Sequence, residues 1–134
     1  MRFADTSYFL ALLNASDEWH EQAVRCCEES QGMLVTTFWV LAEVGDALCE
    51  SRNRKVFVRL IDSLSAREDV LLLSAGEDDF HQGMNLFRNR LDKNWSLTDC
   101  ISFAAMAELA IKEALTSDRH FIQAGFHVLL RDGG

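Results

Sequence analysis

Short apolar runs alternate with longer amphipathic stretches along this whole chain, and that alternation limits the folds open to it. The runs are RFA at 2–4, MLVT at 33–36, DVLLLS at 69–74, ALT at 114–116 and FHVLL at 126–130. DVLLLS is apolar at successive positions, as a strand covered on both faces requires. Helical spacing fills the intervals at Ser7–Leu13, Asp17–Ser30, Phe38–Ser51, Arg54–Ala66, Glu77–Leu91, Leu97–Lys112 and Arg119–Ala124. Ser16 or Asp17 opens the second of these and Gly32 closes it. In the fourth, Val56, Phe57, Leu60, Ile61 and Leu64 share one face. Strand–helix alternation predicts an α/β fold: a mainly parallel sheet of four or five strands with helices on both faces. In such sheets ligands bind beyond the carboxyl ends of the strands, where the strand order reverses.

With 134 residues, 49% hydrophobic and 25% charged, the chain is expected to form one folded domain over residues 1–134. No apolar run reaches the ~20 residues of a membrane span, and no signal peptide is apparent. These features predict a cytoplasmic protein. Cys26, Cys27, Cys49 and Cys100 form no C-x-x-C pair and are expected to be buried free thiols. The four histidines are scattered. A net charge of −8 works against nucleic-acid binding and suits a cation or a basic partner.

Four acids are expected at one edge of the sheet. Asp5 directly follows the first strand and Asp118 the fourth, which puts both at carboxyl ends. Asp99 lies in the first turn of the helix that feeds strand four, so that helix begins at the same edge. Glu43 sits among Trp39, Val40 and Ala47 on a helical stripe where a lone carboxylate needs a cation or donors. Gly45, in the same helix, suggests close approach of another backbone. Each acid also has a plain explanation. Asp5 suits a turn, Asp99 a capping box with Ser96, Asp118 a helix cap, and Glu43 a half-exposed helix face. Caps explain the positions separately but not their convergence. Crowded carboxylates repel unless a cation neutralises them. Mg²⁺ or Mn²⁺ suits an all-oxygen set and supports hydrolysis of a phosphodiester.

The segments ADTS, VLAEVGDAL, SLTDCISFAAM and ALTSDRHFIQAGF, in that order, resemble the PIN domain, and within it the VapC-type toxins of bacterial toxin–antitoxin systems. The resemblance implies a three-layer α/β/α sandwich and a Mg²⁺- or Mn²⁺-dependent endoribonuclease acting on single-stranded RNA. It puts the catalytic and metal-binding acids at Asp5, Glu43, Asp99 and Asp118, with Thr6, Ser7 and Ser117 in support. It also implies a homodimer and a small basic antitoxin covering the acids. Arg88, Arg90, Lys93 and Trp95 are candidate RNA contacts, the cations for phosphates and the indole for stacking, although a solvated helical face with the Trp partly in the core explains any one of them better. A nuclease of RNA maturation or decay, and a silent RNA- or protein-binding module of the same fold, are the alternatives. A phosphorylatable receiver-like domain is disfavoured, because it needs paired acids at the first strand and a lysine after the last.

Overall fold

The computed structural model describes residues 1–29 and 31–131. Five strands, β1 (Arg2–Ala4), β2 (Leu34–Thr37), β3 (Val70–Leu73), β4 (Glu113–Leu115) and β5 (His127–Val128), form one sheet ordered β3-β2-β1-β4-β5. Every pairing is parallel. The helices are α1 (Thr6–Leu13), α2 (His20–Glu28), α3 (Phe38–Ala47), α4 (Arg54–Ala66), α5 (Glu77–Asn89), α6 (Leu97–Glu108) and α7 (Arg119–Gln123). Parallel neighbours require crossovers, and here each crossover carries helices, which gives the expected three-layer α/β/α sandwich. β1 is the central strand. The chain runs from it toward β2 and β3 on one side, then returns to β4 and β5 on the other. The order therefore reverses between β1 and β4, and the crevice beyond their carboxyl ends is the favoured ligand position. Among the described residues, no helix is long and apolar enough to cross a membrane.

The core explains why two helix starts meet there. Phe3, Val35, Ala114 and Leu115 are fully buried along the central strands. Beside them Phe103 of α6 packs edge-on to Phe121 of α7, with ring centroids 4.8 Å apart, and to Trp95 just before α6, 5.0 Å away. These aromatic contacts tie the beginning of α6 to α7. α5 and α6 approach closely at Gly83, where an added Cβ would stand 2.3 Å from Ile101 Cγ1 and 3.1 Å from its backbone.

Several boundaries differ from expectation for local reasons. α2 begins at His20, because Asp17 first forms a turn in which its Oδ1 accepts from the Trp19 N–H at 2.8 Å. Ser30, the expected end of that helix, lies outside the described residues. α3 stops at Ala47 and α6 at Glu108, both short of expectation. Beyond α6, Ala110 takes a left-handed φ of 56° and the Ile111 N–H turns back to Met106 O. Gly45 faces a side chain and not a backbone: its Cβ would meet the Phe57 ring edge at 3.0 Å. Only Cys100 is a buried thiol; Cys26 and Cys27 are half-buried and Cys49 is exposed.

Candidate active site

Asp5 leaves β1 with its backbone still in the sheet, its N–H donating to Leu115 O at 3.1 Å. Its side chain is 4% exposed and accepts a hydrogen bond from Thr116 Oγ1 at 2.9 Å. A threonine hydroxyl has one proton to give. Thr116 gives it to Asp5, so the Ser7 hydroxyl, 2.9 Å away, donates to Thr116. Thr116 Oγ1 also accepts from the Asp118 N–H at 3.1 Å, and Ser7 Oγ accepts from the Ser117 N–H at 3.2 Å. One buried hydroxyl thus joins the first strand's acid to the loop that carries the last.

Asp99 and Asp118 do two jobs at once. Asp99 completes the capping box of α6: the Ser96 N–H donates to its Oδ2 at 3.3 Å, and its own N–H donates to Ser96 Oγ at 3.0 Å. Asp118 caps α7 by accepting from the His120 N–H at 2.8 Å. Both carboxylates also face the His120 ring, whose Nδ1 lies 3.2 Å from Asp99 Oδ2 and 3.5 Å from Asp118 Oδ1. Ligand atoms of Asp99, Asp118 and His120 fall within 4.8 Å of one another. Capping and clustering therefore coexist.

The electrostatics follow from burial. Loss of water pushes the Asp5 carboxyl up to about 7; the Thr116 bond opposes this, and the nearby charges of Asp99 and Asp118 add to it. Burial also raises Asp99, with Asp118 adding and His120 opposing. A buried acid beside two others is the situation a bound cation relieves.

Glu43 stands one step away. In the second turn of α3 it is half-buried and accepts a short hydrogen bond from Thr6 Oγ1, which ties α3 to the start of α1. Like Asp5, it is not part of the converging Asp99–Asp118–His120 set. Ser117 is half-buried and contributes its backbone N–H. The basic stretch takes the plainer of its two readings. Trp95 is 5% exposed, donates its indole N–H to Gln123 Oε1 at 3.0 Å and lies under the Arg90 guanidinium at 5.0 Å, so it is core and not a stacking face. Arg90 pairs with Asp92 at 3.0 Å, Lys93 reaches Asp92 at 3.9 Å, and Arg88 bonds Asn85 at 3.1 Å.

Sequence reasoning missed Thr116 and His120. Thr116 looked like an ordinary β-branched strand residue. His120 could have been found from its position two residues after a capping acid, which returns it to the same helix start.

Comparison with known proteins adds to this geometry. The model of the PIN domain family matches residues 2–127. The chain is 29% identical over 129 residues to the 23S rRNA-specific endonuclease VapC20 of Mycobacterium tuberculosis, covering 94% of this chain and 95% of that protein. The crystal structure of M. tuberculosis VapC20, described as a Sarcin-Ricin loop cleaving toxin, superposes with a TM-score of 0.85 at 26% identity, covering 94% and 96% of the two chains. FitAcB from Neisseria gonorrhoeae shares the fold at a TM-score of 0.66 and 16% identity, covering 96% of each chain.

Proposed function

The chain belongs to the PIN domain family, and we propose that it is a divalent-metal-dependent endoribonuclease that cuts an unpaired stretch of RNA, acting as the toxin of a toxin–antitoxin pair. The observation that carries this reading is the buried Asp5 carboxyl, tied to Thr116 and crowded by Asp99 and Asp118. The donor set fits a hard divalent cation, since carboxylates suit Mg²⁺ or Mn²⁺. Asp5, Asp99 and Asp118 would hold it, with Glu43 completing the acidic set from α3. When bound, such an ion supplies an activated water and neutralises charge on the phosphodiester.

The protein's own groups do the positioning. Thr116 holds the Asp5 carboxylate in one orientation, and Ser7 holds Thr116. An ionised carboxylate has no proton to give, so Nδ1 of His120 carries the hydrogen that reaches Asp99. That contact falls on Oδ2, the oxygen that also accepts from the Ser96 N–H, so the two bonds together hold the Asp99 carboxylate in one orientation. Glu43 is steadied by Thr6. In the reaction water bonds to phosphorus, one P–O bond to ribose breaks, and the leaving oxygen gains a proton. The products carry a phosphate monoester end and a hydroxyl end.

The named activity of the VapC20 relatives supports RNA as the substrate. The −8 charge suits a small basic antitoxin laid over the acidic edge. A homodimer in the cytoplasm belongs to the same proposal.

The test is cleavage of single-stranded RNA with Mn²⁺, with EDTA, and with Asp5→Asn, followed by analysis of the product ends. The expected result is cleavage with metal only, loss of it in the variant, and no cyclic phosphate. Full cleavage in EDTA, or 2′,3′-cyclic ends, would overturn the reading.

A further inference from the structure

Asp5 is flanked by two helix starts of opposite chemistry, one after β2 and one after β4. On one side β2 is locked to β1 by the Thr36 hydroxyl, which donates to Ala4 O at 2.7 Å. On the other, β4 is locked to it by the Asp5 N–H on Leu115 O at 3.1 Å. Each flanking strand then passes into a helix through a capping side chain. Thr37 Oγ1 accepts from the Val40 N–H at 3.1 Å, and Asp118 Oδ1 accepts from the His120 N–H at 2.8 Å. The residue after each cap is the first of its helix. It is Phe38 beside β2 and Arg119 beside β4. The two strands that lead to them, β2 and β4, stand two strand spacings apart, about 10 Å.

Neither residue serves the core. Phe38 is 44% exposed, whereas Val40 and Leu41 of the same helix are buried. Arg119 is exposed and, among the described residues, has no side-chain hydrogen bond or ion pair. Elsewhere in this acidic chain arginines pair readily with acids two residues away, as Arg67 does with Asp69 at 2.9 Å and Arg90 with Asp92 at 3.0 Å. Arg119 adjoins Asp118, but that carboxylate is directed to His120.

Building on the nuclease reading, we infer that Phe38 and Arg119 form the two sides of a clamp for single-stranded RNA, the ring stacking on a nucleobase and the guanidinium holding a flanking phosphate. Stacking accepts any base, because every base has a π-face. A guanidinium grips phosphate through paired N–H donors. It also supplies local positive charge where the acidic field would repel the strand. The clamp straddles Asp5, so it would draw the intervening phosphodiester to the acids.

The probe is a short labelled single-stranded oligoribonucleotide, with binding followed by fluorescence anisotropy in Ca²⁺. Phe38→Ala should weaken binding roughly tenfold, and Phe38→Tyr should restore it. An abasic position in the probe should cost wild type the same factor and cost Phe38→Ala nothing more. Arg119→Gln should lower the slope of log affinity against log salt by about 0.7, the loss of one phosphate contact to a single strand. Arg119→Lys should keep the slope. If wild type binds and either Phe38→Ala or Arg119→Gln matches it, the clamp is overturned while the nuclease reading stands. If wild type neither binds nor cuts RNA, both fall together.

Discussion

The starts of α5 and α6 share one bond, from the cap residue's N–H to an acid at the third helical position, and differ in what stands opposite. At α5, Asp79 accepts from the Gly76 N–H at 3.2 Å; at α6, Asp99 accepts from the Ser96 N–H at 3.3 Å. Each is the third residue of its helix. The α5 start is the more acidic in sequence, with Glu77, Asp78 and Asp79 in its first turn, yet no imidazole or second strand-end acid faces Asp79 among the described contacts. Asp99 is 8% exposed and meets His120 and Asp118. Acids adjacent in sequence fan out around a helix, whereas acids delivered by separate elements, here the start of α6 and the loop after β4, converge. Convergence makes the site.

Asn substitution separates the two starts most sharply, because the amide oxygen of Asn can still accept the cap residue's N–H while the charge is removed. Asp99→Asn should lower RNA cleavage by roughly 100-fold or more, given that outer-shell partners of metals alone are worth roughly 10–100-fold. Asp79→Asn should leave cleavage unchanged. Equal rates from the two would reduce Asp99 to a cap.

Metal should tell the two apart next. At a concentration 100 times its Kd, Mn²⁺ should stabilise wild type and Asp79→Asn by about 2.7 kcal/mol, read as a higher melting temperature than in EDTA. Asp99→Asn should lose most of that gain. A melting temperature indifferent to Mn²⁺ in all three would remove the ion from the account.

Thr116→Val keeps the shape of a fully buried side chain and deletes the hydroxyl that Asp5 depends on. Cleavage should fall roughly 10-fold, as for outer-shell partners of a metal. Stability should fall by about 1–3 kcal/mol, because the Asp118 N–H and the Ser7 hydroxyl lose their partner. Chemical denaturation and single-turnover cleavage measure the two effects. No change in either would remove Thr116 from the site.

A pH dependence in metal-free buffer reports on Asp5 itself. Asp5 ordinarily titrates at 3.8 and here at about 7, so the native chain holds its proton more tightly than the unfolded chain. That contribution is fully present below the unfolded value and is lost as pH rises through the folded one. Wild type should therefore lose stability relative to Asp5→Asn as pH rises from 3.8 to about 7. Parallel stability curves for the two would contradict the assignment.

The architecture was largely legible because burial on both faces writes itself as consecutive apolar residues. All five strands were found, though β5 is only His127–Val128 where the apolar pattern runs on to Leu130, itself buried outside the ladder. Asp5, Asp99 and Asp118 were legible because strand ends and first turns are topological positions. Thr116 was not, since a hydroxyl pointing at a carboxylate and a methyl pointing at the core read alike in one letter. Trp95 shows the opposite: its basic neighbours allowed an open face, but the aromatic packing of α6 and α7 took it into the core.

The bond from Thr116 to Asp5 spans 111 positions. Local helix contacts form without closing so long a loop, whereas this one must first meet that loop's entropy. During synthesis, in which amino-terminal parts fold first, β1, β2 and β3 can emerge with Asp5 already in place and no partner for it. The acidic edge is completed only when β4 docks against β1 and brings Asp118 and His120 with it. The order of the strands therefore acts as a clock: the acids gather only after β4 has left the ribosome and found β1.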